Sequence, residues 1–168
     1  MYGTWESNCA ELPRYLNELL YTNPNTIVRF LIDGPPDEKG VDTFKYVFWA
    51  FGLAIRAYTM CVLIICIDGT HLKGSYNGKL LLAFAKNANN QVLPIAFAIV
   101  DNETNASWTW FLEMFQQHVV QYRKICVISD HHPGILHVMG IYTSQYGWEH
   151  RYYLRHVRSN LMKHCPRI

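Results

Sequence analysis

Charge and long apolar runs are both scarce in this sequence. Only 17% of the residues are charged and the formal net charge is +2, which is too small to indicate a partner by itself. The longest unbroken apolar run, residues 60–67, is far shorter than the roughly 20 residues that a membrane-spanning helix needs. Residues 1–6 contain neither a basic start nor an apolar stretch. The sequence therefore predicts no membrane segment and no secretory signal.

Metal-binding cysteine spacing is also missing. The five cysteines are Cys9, Cys61, Cys66, Cys126 and Cys165, and none of them stands in a Cys-x-x-Cys pair. This excludes a zinc finger of the usual spacing. Three of the cysteines fall in apolar, strand-like runs, so we expect buried free thiols in a reducing compartment rather than disulfides.

Apolar residues make up 50% of the chain and aromatic residues 14%, which is enough for a packed core. Residues 1–59 are predicted to form a mainly helical N-terminal segment. Its helices cover residues 8–20, with Pro13 in the first turn, and residues 43–57, where Phe44, Val47, Phe48 and Phe51 follow a helical spacing. We place a boundary near residue 60, so the second segment covers residues 60–168.

The second segment begins with three predicted strands. They cover Cys61 to Ile67, Lys79 to Lys86 and Gln91 to Val100, and short turns join them. Short connections favour an antiparallel meander. Because Pro94 cannot donate a ladder hydrogen bond, we expect the third strand at an edge of the sheet.

Helices and strands then alternate. Asn105 or Ser107 is predicted to cap a helix whose apolar stripe includes Trp108, Phe111, Leu112, Phe115 and Val119. A strand over 125–129, a helix opening at Pro133, a strand over 150–154 and a basic helix over 155–164 follow. This order is that of the ribonuclease H-like fold, an α/β fold with a mixed sheet and helices on both faces.

Two aspartates stand at predicted strand ends. Asp68 ends the first strand of the second segment, and Asp130 ends the fourth, which a helical crossover makes its parallel neighbour. Carboxylates about 4 Å apart repel by roughly 4 kcal/mol at an effective dielectric near 20, and a divalent cation removes that repulsion. The pair suits metal-assisted phosphoryl transfer, with Mg²⁺ or Mn²⁺ as the ion. The alternative is that both aspartates only form turns.

Several long motifs, in the right order, resemble those of the plant Mutator-like (MULE) transposases. They are residues 68–74 (DGTHLKG), 89–100 (NNQVLPIAFAIV), 107–111 (SWTWF), 128–130 (ISD) with 132–135 (HPGI), and 150–156 (HRYYLRH). The resemblance covers about residues 60–165. It implies a ribonuclease H-like core that uses an Asp-Asp-Glu triad and Mg²⁺ to cut and join DNA. The first two acids of that pattern fall on Asp68 and Asp130.

The sequence departs from the family pattern at three places. The family's catalytic Glu lies on a helix well beyond the second Asp, whereas the only acid after Asp130 here is Glu149, just before a predicted strand. Tyr153 stands where the family usually has the Cys of a Cys-x-x-His motif. The flanking zinc-binding modules of the family are absent. We therefore expect a transposase domain that is shortened at both ends, incomplete at its C-terminus, and weak or inactive in strand transfer.

Basic residues near the two aspartates are candidates for contact with nucleic acid. They are Lys73, Arg151, Arg155, His156 and Arg158. Arg155 and Arg158 share one face of a predicted helix, which favours phosphate binding over an ordinary solvated surface.

The resemblance implies a nuclear protein whose partner is DNA at transposon terminal repeats, and it allows a homo-oligomer. A non-catalytic DNA-binding or regulatory protein derived from a transposase is the alternative. A haloacid-dehalogenase-like phosphatase is disfavoured, because Cys66 stands where that family needs its nucleophilic Asp.

Overall fold

The computed structural model describes residues 5–35, 44–73 and 78–154. Side chains within these ranges are described from residue 11 and, in the second range, from residue 45. The predicted basic helix over 155–164 lies outside these ranges, and so does part of the connection between the strands predicted over 61–67 and 79–86.

The described residues form four α-helices and seven strands. In chain order these are α1 (Trp5–Thr22), β1 (Ile27–Ile32), β2 (Phe44–Ala50), α2 (Gly52–Tyr58), β3 (Ile64–His71), β4 (Lys79–Lys86), β5 (Val92–Val100), α3 (Asn105–Phe115), β6 (Cys126–Ser129), α4 (Pro133–Tyr146) and β7 (Glu149–Tyr152). A π-helical turn, Gln116–Val120, continues α3.

All seven strands belong to one mixed sheet, in the order β1-β2-β5-β4-β3-β6-β7. The β3, β4 and β5 strands pair antiparallel, which confirms the predicted meander. The pairs β3/β6 and β6/β7 are parallel, which confirms that the helical crossovers return the chain to parallel neighbours. The fold is therefore α/β, with a seven-stranded sheet and flanking helices.

The predicted helix over 43–57 is wrong for its first half, because residues 44–50 form β2. Tyr46, Val47 and Phe48 are all buried although they alternate between the two faces of the sheet. An aromatic-rich strand buried on both faces carries apolar residues at helical spacings by coincidence. Only the second half is helical, as α2. The described residues before residue 60 thus form two helices and two strands.

The β5 strand is not at an edge, because β2 pairs with its outer side. That pairing is confined to Phe97, Ala98 and Ile99, so Pro94 lies beyond the paired stretch. On the other side, the β4 register shifts between Ala83 and Phe84, and Phe84 is opposite Pro94. A proline is tolerated at such an irregularity, which reconciles it with an interior strand.

Helix α1 starts earlier than predicted, so Pro13 lies inside it rather than in its first turn. An interior proline costs a helix about 3 kcal/mol. Leu16 on the same helix is buried and packs with Val28 of β1 and Val47 of β2, and this burial offsets part of that cost.

Thr104, not Asn105 or Ser107, is the N-cap of α3. Its side chain accepts a hydrogen bond from the Ser107 backbone N–H, and the Ser107 side chain accepts one from the Thr104 backbone N–H. The predicted apolar stripe is confirmed, since all five of its residues are buried in the main core together with residues of α4. Helices α3 and α4 therefore cover one face of the sheet, which we call the helix face; Ile65, Ile67 and Gly69 of β3 point to it.

Candidate functional site

The structure brings Asp68 and Asp130 into register on neighbouring parallel strands. Cys66 of β3 is opposite Ile128 of β6, and two residues further along each strand stand Asp68 and Asp130. Opposed residues point to the same face of a sheet, and adjacent strands are about 4.8 Å apart. Asp68 does not end its strand, because β3 continues to His71 in pairing with β4. Only the parallel pairing of β3 with β6 stops just before Asp68.

Both carboxylates are also held by local hydrogen bonds. The Gly69 backbone N–H donates to Asp68 Oδ1 over 3.0 Å, and the His132 backbone N–H donates to Asp130 Oδ1 over 3.0 Å. His132 Nδ1 in turn accepts from the Gly134 N–H over 3.2 Å and caps α4. Asp130 therefore does form a turn, as the alternative interpretation expected. The hydrogen bond of this turn fixes the orientation of the carboxylate and does not prevent it from binding a ligand.

Tyr153 lies beside the two aspartates on the same face. Its backbone N–H donates to the Ser129 carbonyl over 2.9 Å, which continues the β7 pairing and sets Tyr153 next to Asp130. Burial, the neighbouring Cys66 thiol and the negative charges of Asp68 and Asp130 together raise the pKa of the Tyr153 hydroxyl. Both carboxylates thus lie within electrostatic reach of one phenol. The sequence analysis noted Tyr153 only because it stands where the family usually has the Cys of a Cys-x-x-His motif.

Glu103, which sequence reasoning missed, lies against β3 from the other face. A Cβ on Gly69 would be 2.5 Å from Glu103 Cδ, so the carboxylate sits directly over this glycine. Glu103 also pairs with Lys79 at 3.5 Å, and Lys79 Nζ is 2.6 Å from His71 Nε2. Because successive strand residues point to opposite faces, Glu103 and Asp68 flank opposite sides of the strand.

A third acid does not join the pair in the part of the chain that the structure describes, where no group of three or more His, Cys, Asp or Glu residues could hold a metal ion. Glu149 pairs in register with Cys126, at the far end of β6 from Asp130, and bonds to Arg151 at 2.9 Å. Asp101 is exposed and accepts from the Asn102 N–H over 2.7 Å, which is a turn role.

Substitution of Gly69 with alanine tests the close approach of Glu103. The new methyl group displaces the carboxylate and separates it from Lys79, so we expect a loss of about 1 kcal/mol in the free energy of unfolding, measured by chemical denaturation. In a Glu103→Ala background the same substitution should cost much less. An equal cost in both backgrounds would contradict this account.

The predicted nucleic-acid contacts are only partly visible. Lys73 is exposed just beyond β3. Arg151 lies in β7 opposite Ile128, and its guanidinium is engaged by Glu149. Arg155, His156 and Arg158 lie outside the described residues, so these three stay predictions.

Histidines and aromatic rings line the same end of β6 and β7. His131 stacks on Tyr152 with ring centroids 3.8 Å apart, and His150 Nε2 lies 2.9 Å from Ser129 Oγ. Burial, reinforced by the charges of His131 and Arg151, lowers the pKa of His150. Trp110 packs against the ring of Tyr46 with centroids 5.5 Å apart.

The fold is that of an α/β protein, and Asp68 and Asp130 are opposite one another where the parallel pairing of β3 with β6 stops. A family model described as the MULE transposase domain matches residues 64–160, which is more than half of the chain. The chain belongs to the MULE transposase domain family. No curated protein matches it.

Among the described residues, no helix is both long and apolar enough to cross a bilayer.

Proposed function

We propose that this chain is a transposase-derived DNA-processing domain with a ribonuclease H-like core, in which Asp68 and Asp130 hold a divalent cation for phosphoryl transfer. The register of β3 and β6, in which the positions of Asp68 and Asp130 are opposite one another, supports the proposal most directly. The strand order β5-β4-β3-β6-β7 and the family membership support it.

The two aspartates suit Mg²⁺ or Mn²⁺. Mg²⁺ is commonly bound by one or two carboxylates, while waters and substrate phosphates complete its octahedral shell. The carboxylates of Asp68 and Asp130, which are opposite one another on β3 and just after β6, are a donor set of this kind. When bound, the ion would supply Lewis-acid activation of a water or a 3′-hydroxyl and stabilisation of the leaving oxygen.

The chain's own residues would orient and bind the substrate. The Gly69 and His132 N–H groups fix the carboxylates of Asp68 and Asp130. Lys73 is exposed near the end of β3, where it could bind a phosphate of DNA. Arg155, His156 and Arg158 would extend this contact.

Strand transfer is expected to be impaired. An Asp-Asp-Glu mechanism needs a third carboxylate, and neither Glu103 nor Glu149 joins the pair on its face of the sheet. The same observation favours the second candidate function, a non-catalytic DNA-binding or regulatory protein derived from a transposase. Either function would act in the nucleus, on DNA such as transposon terminal repeats, and either could involve a homo-oligomer.

Nicking of supercoiled plasmid separates the two functions. We expect weak relaxation with Mn²⁺ or Mg²⁺ that is lost on chelation and lost again in Asp68→Asn. Asp101→Asn, which alters an exposed turn carboxylate, is the matched control and should keep the activity.

Plasmid binding without nicking, unaffected by Asp68→Asn, would favour the regulatory protein. Absence of both binding and nicking by the folded chain would overturn the proposal.

A further inference from the structure

Three rings pack in series toward the carboxyl ends of β6 and β7, and we call them the aromatic ladder. The ring of His150 contacts the ring of Tyr152 with centroids 4.9 Å apart. Tyr152 in turn stacks on His131, with centroids 3.8 Å apart and 21° between the ring planes. The ladder therefore runs from β7 to the residue that directly follows Asp130.

The inner end of the ladder is anchored in the protein. Ser129, which is opposite Tyr152 in the register of β6 and β7, is fully buried. Its hydroxyl donates to the Asp130 carbonyl over 2.7 Å, so it accepts the hydrogen bond from His150 Nε2 over 2.9 Å. Burial lowers the pKa of His150, which keeps this ring neutral near pH 7. The ladder is thus held in one orientation before any ligand arrives, which reduces the entropic cost of binding.

The outer end of the ladder is accessible to solvent. His131 is exposed, and Tyr152 keeps 43% of its surface accessible. Tyr152 covers one side of the His131 ring, and no second ring contacts His131 among the residues that the structure describes. Stacked rings attract a further flat ring in the same way. The outer side of His131 can therefore take one more ring as the next member of the stack.

The position and the charge of the ladder favour a nucleobase as that ring. The Cα atoms of neighbouring residues are about 3.8 Å apart, so His131 is within reach of a nucleotide whose phosphate is held at Asp130. Between residues 131 and 154 the only acid is Glu149, and its charge is paired with Arg151. An aromatic surface with so few acids suits a polyanion that carries flat rings, and nucleic acids are ligands of this kind.

The base that stacks on the ladder has to be unpaired. Inside a duplex, neighbouring bases cover both faces of each base. A base can therefore stack on a protein ring only where the strand is single or where the base is turned out of the helix.

We propose that the aromatic ladder binds one unpaired nucleobase of DNA, stacked on His131, next to the phosphate that reacts at Asp68 and Asp130. This inference rests on the proposed DNA-processing function. It adds the class of substrate, which is DNA with an unpaired nucleotide beside the reacting phosphate. Tyr152 and His150 are positioning residues, because they hold the His131 ring and do not themselves touch the base.

The test uses two DNA duplexes with the same short single-stranded extension, which carries normal bases in one duplex and abasic nucleotides in the other. Both extensions have the same phosphates, so the ratio of the two Kd values reports the contribution of the bases. The Kd values are measured with the full chain by fluorescence anisotropy in Mg²⁺. We expect the abasic duplex to bind about tenfold more weakly, because stacking of one base on an aromatic side chain is worth roughly 5- to 100-fold in Kd.

Four variants locate the base. His131→Ala removes the ring that the base contacts and should bring the ratio close to one. Tyr152→Leu should also lower the ratio, because it removes the aromatic support of His131, whereas Tyr152→Phe keeps the ring and should keep the ratio. His137→Ala removes another exposed imidazole, on α4, and is the matched control that should behave as the parent does. Circular dichroism checks that each variant is folded.

The outcomes separate this inference from the function on which it rests. DNA binding with a parent ratio near one overturns the inference and leaves the DNA-processing function standing. A ratio that His131→Ala does not lower, or that His137→Ala lowers equally, places the base elsewhere and also overturns it. Much tighter binding of an RNA extension of the same sequence assigns the ladder to RNA, against the proposal. If the folded chain binds neither duplex, the inference and the proposed function both fail.

Discussion

Asp130→Asn is expected to abolish the heat of Mn²⁺ binding in a calorimetric titration, and Asp68→Asn is expected to do the same. Each substitution removes one of two charges that would face the ion. At a separation near 4 Å and an effective dielectric near 20, each unit charge contributes about 4 kcal/mol. This loss of binding free energy raises the Kd by at least about 10³-fold, so a titration with millimolar Mn²⁺ would detect no binding.

The stability of the metal-free variants shows whether a loss of Mn²⁺ binding is caused by unfolding. The two carboxylates lie in register and repel each other when no cation is present, so either asparagine variant should be at least as stable as the parent. Mn²⁺ should raise the Tm of the parent and leave the Tm of both variants unchanged. Asp101→Asn should bind Mn²⁺ as the parent does. A Tm shift that survives in Asp68→Asn would place the cation elsewhere.

Trp108→Ala should lower the free energy of unfolding by about 3–5 kcal/mol, the largest stability effect that we predict. Trp108 is fully buried and packs edge-to-face on Phe111 with ring centroids 5.8 Å apart. A Cβ on Gly134 would be only 2.9 Å from Trp108 Cδ1, so α4 sits directly on this ring. Removing it opens a cavity between α3 and α4 at the turn that holds Asp130. Urea denaturation measures the loss.

Two further variants give this prediction its controls. Thr109→Ala, the next residue on α3, removes an exposed bond to the Asn105 carbonyl and should cost less than about 0.5 kcal/mol. Trp108→Phe should cost less than Trp108→Ala, because phenylalanine fills part of the space and removes an indole N–H that is buried without a partner among the described residues. Equal costs for Trp108→Ala and Thr109→Ala would contradict the role of the ring.

The C-terminal part of the sheet could be predicted from sequence because its signals are local. Runs of apolar residues end at Asn-rich turns, Pro133 opens a helix, and strand–helix–strand connections fix the parallel pairs. The register of Asp68 and Asp130 follows from those pairs.

The remainder depends on tertiary contacts. The spacing of apolar residues in β2 fits a helix as well as a strand. Only the burial of this segment between α1 and the main core selects the strand. The position of Glu103 over Gly69 is set by how the loop before α3 folds back onto β3, and nothing in the spacing of these residues indicates it. Tyr153 likewise gains its place only through the pairing of β7 with β6.

The pairing of β2 with β5 has a practical consequence for anyone who expresses this domain. The family match begins at residue 64, and a recombinant piece cut there would lose β1 and β2. The amides and carbonyls of Phe97, Ala98 and Ile99 would then form a bare, apolar strand edge, which is a template for adding strands from other molecules. The hairpin of β1 and β2 thus protects the edge of β5 from aggregation, and recombinant proteins that are meant to be soluble should start upstream of β1.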